Sequence, residues 1–380
     1  MDEVTRRRLL TGVGAAGITG LAGCTGLPGG DDTPELGPVG LADFRGSGAL
    51  VQGRAPPGGP SIEDMPSLSG TLSLYLGGGE SGLYRDLFGL FEAIYDDFEL
   101  TITSGSSASL ATQIVDEYEA NALGGDVFLP VDAGSMGVAA EAGATQPLPS
   151  ELTTRVPAQF RGDDGTWVGV EGRARAVPYN TETLTEDDIP QRVLDFPDTQ
   201  ALQGTMGWAP TYGAFQSFVT AMRLLQGRSR TKEWLESMIN IGTESYRNEF
   251  FVSQFVADGT LSAGFANHYY ALRVRNANPD APLALAFTSG GAGALVNVSC
   301  AGLLANTDRS DLAVNFIRHL LSAEAQEYFA TVTNGYPMIE GVEPLAGLPT
   351  IRELNPPDID LTQLADLTAT IDLLEEVGLI

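Results

Sequence analysis

Hydrophobic and polar positions alternate in the stretch "GTLSLYLG", residues 70–77, and then recur at helical spacing in "LYRDLFGLFEAIYDDF". Side chains on a strand point alternately to its two faces, so these patterns predict a strand followed by a helix. The stretches "ELTITSG" and "SASLATQIVDEYEANA" repeat that order, and "GDVFLPVDAG" predicts a third strand. This order predicts an α/β fold with a parallel sheet covered by helices, and a ligand site at the carboxyl ends of the strands.

The stretch "LSAGFANHYYALRVR", residues 261–275, predicts a strand that runs into a helix and carries the adjacent residues Tyr269 and Tyr270. One explanation of the pair is packing, with one ring in the core and the other reaching solvent. The other is that both hydroxyls bind one ligand, because the change from strand to helix breaks the alternation of side chains. Further along, "DLAVNFIRHLLSAEAQEYFATV" predicts a helix on which His319 is expected at the surface.

The amino terminus has the features of an export signal. "TRRRLLTGVGAAGITGLAGC" joins three arginines, a short apolar run rich in glycine, and Cys24. Such a run is too short to remain as a membrane span, and its arginines resemble a twin-arginine signal. The last four residues resemble a lipobox, so residues 1–24 are predicted to be a signal and Cys24 the lipidation site. Residues 25–68, rich in Gly, Pro and Asp, are predicted to form a flexible tether.

The charge of the chain narrows the classes of function. It has 49 acidic and 21 basic residues, a net charge of −28, and Lys232 as its single lysine. Acidic residues spread along the whole chain indicate adaptation to molar salt, which screens their mutual repulsion. No basic patch is present, which excludes nucleic acid as a partner. Neither G-x-S-x-G nor H-E-x-x-H occurs, so an enzyme is not expected.

Seven stretches, in this order, resemble the ferric-ion-binding proteins of ABC importers, within the type II periplasmic-binding-protein superfamily. They are "DVFLPVDAG", "EGRARAVPYN", "WAPTYGAFQSFVTAMR", "ADGTLSAGFANHYYALR", "LVNVSCAGLL", "LLSAEAQEYF" and "NGYPMIEGVEP". The resemblance covers nearly all of residues 69–346 and implies two α/β lobes with the ligand in the cleft between them. By the family pattern, residues 69–175 with 283–312 form the first lobe, and residues 176–282 with 313–380 the second.

The resemblance also implies a set of metal ligands. Ferric iron is a small, hard cation that prefers anionic oxygen, and a trivalent ion can displace the proton of a phenol. Tyr269 and Tyr270 match the adjacent tyrosines that bind metal in the family, and Tyr179 matches a third tyrosine used by some members. Many relatives also use a histidine at the end of the first strand, where this chain has Gly79 and Glu80. Candidates for the missing ligand are Glu80, Asp132 and His268.

Some relatives complete the metal site with an anion such as carbonate. Arg175 matches the arginine that holds this anion, and Arg173 lies two residues before it on the same face of the predicted strand. The start of the helix in "APTYGAFQSF" offers free N–H groups to an anion. The candidate anion-binding residues are therefore Arg175, Arg173, Thr211, Gly213, Ala214 and Asn248.

These features together predict a receptor for Fe(III) on the outer face of the cell membrane. The chain is expected to be a monomer anchored by the lipid on Cys24, with an ABC permease and its ATPase as partners. The alternative is a solute-binding protein of the same kind for an oxyanion, thiamine or a small organic anion.

Overall fold

A computed structural model describes residues 39–78 and 81–380. The predicted sites at Cys24 and Glu80 and the predicted signal therefore lie outside the described residues. The strands in the described part are β1 (Gly70–Gly77), β2 (Phe98–Gly105), β3 (Val127–Leu129), β4 (Thr145–Gln146), β5 (Trp167–Asn180), β6 (Met206–Trp208), β7 (Glu244–Ser245), β8 (Ala263–Gly264), β9 (Ala266–Asn267), β10 (Leu283–Ala286) and β11 (Val296–Leu304).

The α-helices of the described residues are α1 (Ser81–Ile94), α2 (Ser107–Glu119), α3 (Ala133–Glu141), α4 (Ser150–Thr153), α5 (Gly213–Gln226), α6 (Arg228–Asn240), α7 (Glu249–Ala257), α8 (His268–Ala277), α9 (Ser310–Leu320), α10 (Ala323–Tyr328), α11 (Ile351–Leu354) and α12 (Thr368–Glu376). Short 3-10 helices, such as Leu41–Phe44 and Leu361–Ala365, lie between them. None of the helices in residues 39–78 and 81–380 combines the length and the apolar character of a membrane span.

The sheet has the strand order β2-β1-β3-β11-β5-β8-β6-β7, with β4 beside β11 and with β9 and β10 beside β5. The pairs β1–β2 and β1–β3 are parallel, as the sequence pattern predicts, whereas β11 runs antiparallel to both β3 and β5. The 14-residue strand β5 is shared between two parts of the sheet. Residues 167–174 pair with β11, and residues 175–180 pair with β8, β9 and β10.

Two groups of aromatic rings pack against the sheet, one on each of these two parts. On α9, the Phe316 ring lies 5.4 Å from Phe88 and 6.2 Å from Phe91, and the fully buried His319 donates to or accepts from the Tyr95 hydroxyl at 2.8 Å. His319 is therefore in the core, and its predicted surface position is wrong. In the second group, Phe218, Trp234 and Phe265 have ring centroids 5.7 to 5.8 Å apart.

The described part of the predicted tether, residues 39–68, is packed against the body. Phe44 is buried, with its ring 6.2 Å from that of Phe91. The fully buried carboxylate of Glu327 accepts from Arg45 Nε at 2.7 Å and from Arg54 Nε at 2.9 Å. The prediction of a flexible tether is therefore wrong for these residues, because two arginines separated in the sequence compensate one buried charge.

The carboxyl-terminal segment contacts both α3 and α5. Its 3-10 helix Leu361–Ala365 packs so closely on α3 that a Cβ at Gly134 would lie 2.7 Å from the Ala365 side chain. On the following helix α12, the Thr370 hydroxyl lies 2.7 Å from that of Thr220 on α5. Since α3 falls within the predicted first lobe and α5 within the second, the tail is not confined to the second. The lobe boundaries themselves remain a prediction.

Candidate functional site: a cluster of phenols where three helices begin

The tyrosine pair lies at the start of α8, directly after β9. Asn267 of β9 pairs with Arg175 of β5 and has extended backbone angles, and the chain becomes helical at the next residue. This confirms the predicted change from strand to helix. It brings the adjacent rings of Tyr269 and Tyr270 to a centroid distance of 4.3 Å at an angle of 47°. Both side chains are buried, with exposed fractions of 5% and 8%.

A third phenol, Tyr212, completes the cluster. It is the residue that precedes α5, and its hydroxyl is hydrogen-bonded to the Tyr270 hydroxyl. The centroids of the two rings are 6.2 Å apart, and the ring planes are inclined at 64°. The sequence pattern indicated its neighbours Thr211, Gly213 and Ala214 as candidates, but not Tyr212 itself. The signal available in the sequence was a tyrosine directly before a predicted helix, inside one of the stretches that carry the family resemblance.

The structure does not bring Tyr179 to the tyrosine pair. On β5 it lies opposite Ala263 of β8 and Ala284 of β10. It is four residues beyond Arg175, which at about 3.3 Å per strand residue is about 13 Å along the strand. Burial and the nearby carboxylate of Glu186 raise its pKa. The third tyrosine of the cluster is therefore Tyr212.

The cluster lies where three helices begin. Tyr212 precedes α5, and Tyr269 and Tyr270 occupy the first turn of α8. Phe250 in the first turn of α7 lies edge-on to Tyr270, with ring centroids 6.3 Å apart. The amino end of a helix carries free N–H groups and a partial positive charge. A helix start of this kind stabilises an anion that lies close to it.

Electrostatics keep the Tyr270 hydroxyl of the empty cluster protonated. Burial raises the pKa of Tyr270 far above its ordinary value, and the neighbouring Tyr269 and Tyr212 raise it further. The guanidinium carbon of Arg273 lies 5.0 Å from the Tyr269 ring centroid and 5.7 Å from that of Tyr270. A cation over these rings acts in the opposite direction, because it stabilises phenolate.

The other candidate metal ligands have structural roles in the described residues. The Asp132 carboxylate caps α3 by accepting from the Ser135 N–H at 2.7 Å and from its hydroxyl at 3.1 Å. The ring of His268 packs 4.7 Å from that of Tyr336, and its Nδ1 lies 3.3 Å from the Ala174 carbonyl. Burial lowers the pKa of His268 to about 4. Within residues 39–78 and 81–380, no group of three or more His, Cys, Asp or Glu side chains could hold a metal ion.

Arg175 is held in a buried ion pair. One of its terminal nitrogens, Nη1, donates to the Glu249 carboxylate and lies 3.4 Å from the Asn267 side-chain oxygen. The same carboxylate accepts from the Asn267 N–H at 2.8 Å, which fixes the residue before α8. The other terminal nitrogen of Arg175, Nη2, is buried without a hydrogen-bond partner in the described residues. Arg175 thus offers one donor to an anion.

The remaining anion candidates differ in what they offer. Arg173 is directed towards the end of β3, where it donates to the Val131 carbonyl and, at 2.8 Å, to the Ser299 hydroxyl. Asn248 caps α7, and its side-chain oxygen accepts from the Phe251 N–H at 3.1 Å. No side chain caps the start of α5, so the N–H groups of its first turn, at Gly213 and Ala214, are not used by a cap.

Residues 125–360 match the model of a family described as bacterial extracellular solute-binding protein. The chain belongs to this family. It is 33% identical over 264 residues to iron uptake protein A2 of Synechocystis, covering 66% of this chain and 75% of that protein. It is 28% identical over 289 residues to the major ferric iron-binding protein of Neisseria meningitidis, covering 74% and 85%.

Solved structures agree with this assignment. Iron-bound HitA from Pseudomonas aeruginosa matches with a TM-score of 0.70 and 27% identity, over 81% of this chain and 99% of that one. Apo FutA2 from Synechocystis matches with a TM-score of 0.65 and 26% identity, over 82% and 100%. The predicted fold class, a two-lobed type II periplasmic-binding-protein fold, is confirmed.

Proposed function

We propose that this protein captures ferric iron through the phenol oxygens of Tyr212, Tyr269 and Tyr270 and delivers it to an ABC permease. The observation that carries the proposal is the convergence of three buried phenols, two of them joined through their hydroxyls, at the starts of three helices. Relatives at 27% identity or more include proteins named for ferric iron binding and a structure described as iron-bound.

The chemistry of the cluster suits a trivalent ion. Hard cations prefer anionic oxygen, and three phenolates would balance the charge of Fe(III). The protons of the phenols must leave first, and a strongly polarising cation drives that step. The helix starts, Arg273 and the bound ion then stabilise the phenolates. They offset the burial and the mutual repulsion of the phenols, which oppose ionisation in the empty site.

An anion such as carbonate completes the coordination in this proposal. Its donors would be Arg175 Nη2, the side-chain amide of Asn248, and the N–H groups of Gly213 and Ala214. A buried guanidinium nitrogen without a partner is costly, and an anion would satisfy it. The unpartnered nitrogen of Arg175 also supports a second candidate function, the binding of an oxyanion without iron.

The location of the receptor also belongs to the proposal. We place it on the outer face of the cell membrane, exported by the twin-arginine signal and held by the lipid on Cys24. Its partners there would be the permease and the ATPase of the importer.

Ferric citrate titration of the purified protein in molar KCl, followed by visible spectroscopy and metal analysis, tests the proposal. We expect a phenolate charge-transfer band and about one iron per chain. Tyr212→Phe, Tyr269→Phe and Tyr270→Phe should each weaken iron binding by orders of magnitude, since each deletes a charged ligand and retains the ring.

Two controls make this result specific. Tyr179→Phe removes a phenol on β5 outside the cluster, so iron binding should be unchanged. Tyr328→Phe removes a buried hydroxyl that donates to the Leu83 carbonyl at 2.7 Å, so it tests the general effect of a lost phenol. Absence of a phenolate band in the wild-type protein would refute iron binding. Binding of phosphate or carbonate by that iron-free protein would then establish the oxyanion function.

A further inference from the structure

A large cavity lies outside the tyrosine cluster. It has a volume of about 1060 Å³ and is bounded by parts of residues 154–159, 336–344 and 350–356, with Pro60. Tyr212, Tyr269 and Tyr270 are not among the residues that line it. Pro157, Pro337 and Val342 contribute to its apolar walls. Its size and apolar lining are those of small-molecule sites in proteins.

Two hydrogen-bond donors in the lining of this cavity are buried and unpaired. The Tyr336 side chain is only 1% exposed, and its hydroxyl has no hydrogen-bond partner in the described residues. The same holds for Nη1 of Arg155, whose guanidinium is partly buried. Burial, and then the neighbouring Arg318, lower the pKa of Arg155, while Glu151 opposes them.

Unpaired donors of this kind destabilise the empty protein, because water has been lost without replacement by a protein acceptor. A carboxylate would accept from a phenol hydroxyl and from a guanidinium, and both interactions would be stronger than those between neutral groups. The apolar walls require that the rest of the ligand be apolar. The acidic side chains in the lining, Glu340 and Glu343, are exposed, so they do not supply the acceptor for the two buried donors.

We propose that this cavity binds a small organic acid with an apolar body, whose carboxylate accepts hydrogen bonds from Tyr336 and Arg155. The site is separate from the metal site and does not depend on iron binding. Tyr336 nevertheless connects this cavity with residues next to the tyrosine cluster. Tyr336 exchanges backbone hydrogen bonds with Gly172 of β5 at 2.7 and 2.8 Å, and its ring packs against His268, the residue before Tyr269.

The test uses the iron-free full-length protein and 4-phenylbutyrate as the probe, with 4-phenylbutanol as its uncharged counterpart. Calorimetric titration should show saturable binding of one phenylbutyrate per chain, and weaker binding of the alcohol. Tyr336→Phe and Arg155→Gln should each weaken phenylbutyrate binding about tenfold, which corresponds to about 1.4 kcal/mol. The methyl resonance of ¹³C-labelled Met338, which lines the cavity, should shift on titration.

Controls separate this result from misfolding and from binding elsewhere. Tyr328→Phe, which removes a buried hydroxyl outside the cavity, should bind phenylbutyrate as the wild type does. Tyr336→Phe should not lower the melting temperature, because it deletes a hydroxyl that has no partner. Failure of the wild-type protein to bind phenylbutyrate saturably would overturn the proposal. An affinity for phenylbutyrate in the Tyr336 and Arg155 variants equal to that of the wild type would also overturn it. So would a wild-type affinity for the alcohol equal to that for phenylbutyrate.

Discussion

Iron binding at the tyrosine cluster should release about three protons. A phenol ordinarily has a pKa of about 10, so removing its proton at pH 7 costs about 4 kcal/mol. Three phenols therefore oppose binding by about 12 kcal/mol, and the increase in the pKa of Tyr270 by burial and by its neighbours adds to this opposition. Each increase of one pH unit lowers the free-energy cost of deprotonation by about 1.4 kcal/mol per phenol. The affinity should thus rise with pH by up to about a thousandfold per unit, until the phenols of the free site begin to ionise.

Calorimetry in two buffers with different ionisation enthalpies, HEPES and Tris, measures the number of protons released when ferric citrate is added. Citrate and the hydrolysis of ferric iron contribute protons of their own. This contribution cancels when a variant is compared with the wild type under the same conditions. Tyr212→Phe, if it still takes up iron at the concentrations used, should release one proton fewer than the wild type, whereas Tyr179→Phe should release the same number. If the wild type and the Tyr212 variant release equal numbers of protons, Tyr212 is not a phenolate ligand and this reasoning is wrong.

Three other predictions concern stability and location. Glu327→Gln leaves Arg45 and Arg54 without their buried carboxylate and should lower the free energy of unfolding by about 3 to 5 kcal/mol. Glu151→Gln, at a surface ion pair, should lower it by at most about 1 kcal/mol, and chemical denaturation compares the two variants. Dilution from molar KCl should lower the melting temperature, since a chain of net charge −28 loses its screening, and equal melting temperatures at both salt concentrations would refute adaptation to salt. A Cys24→Ala variant should be exported but recovered from the medium, and its retention in washed membranes without the permease would contradict the lipobox.

Local patterns predicted several strands and helices, including the junction of strand and helix that positions the tyrosine pair. The alternation in residues 70–77, the helix after it and the change from strand to helix at residues 266–268 all appear where expected. These features depend on spacing within a few residues, which the sequence displays directly. The burial of His319 was not predictable in the same way, because its partner Tyr95 lies 224 residues away in the sequence.

The composition of the cluster depends on register between distant segments. Arg175 faces Asn267 because β5 and β9 are aligned at that residue, and this alignment leaves Tyr179 beside β8 and β10. Tyr212 reaches Tyr270 only through the placement of α5, which no local pattern describes. The ion pair of Arg175 with Glu249 has the same origin, so the sequence indicated the arginine as a candidate but not its partner.

The protonated state of the empty cluster has a consequence for selectivity among cations. A site built from carboxylates would carry standing charge and would attract cations such as potassium and magnesium. Three neutral hydroxyls, one of them with a strongly raised pKa, present no such charge. Potassium and magnesium polarise a phenol oxygen too weakly to displace these protons. The background electrolyte would therefore compete poorly for the site, even in a chain whose net charge of −28 concentrates cations around it.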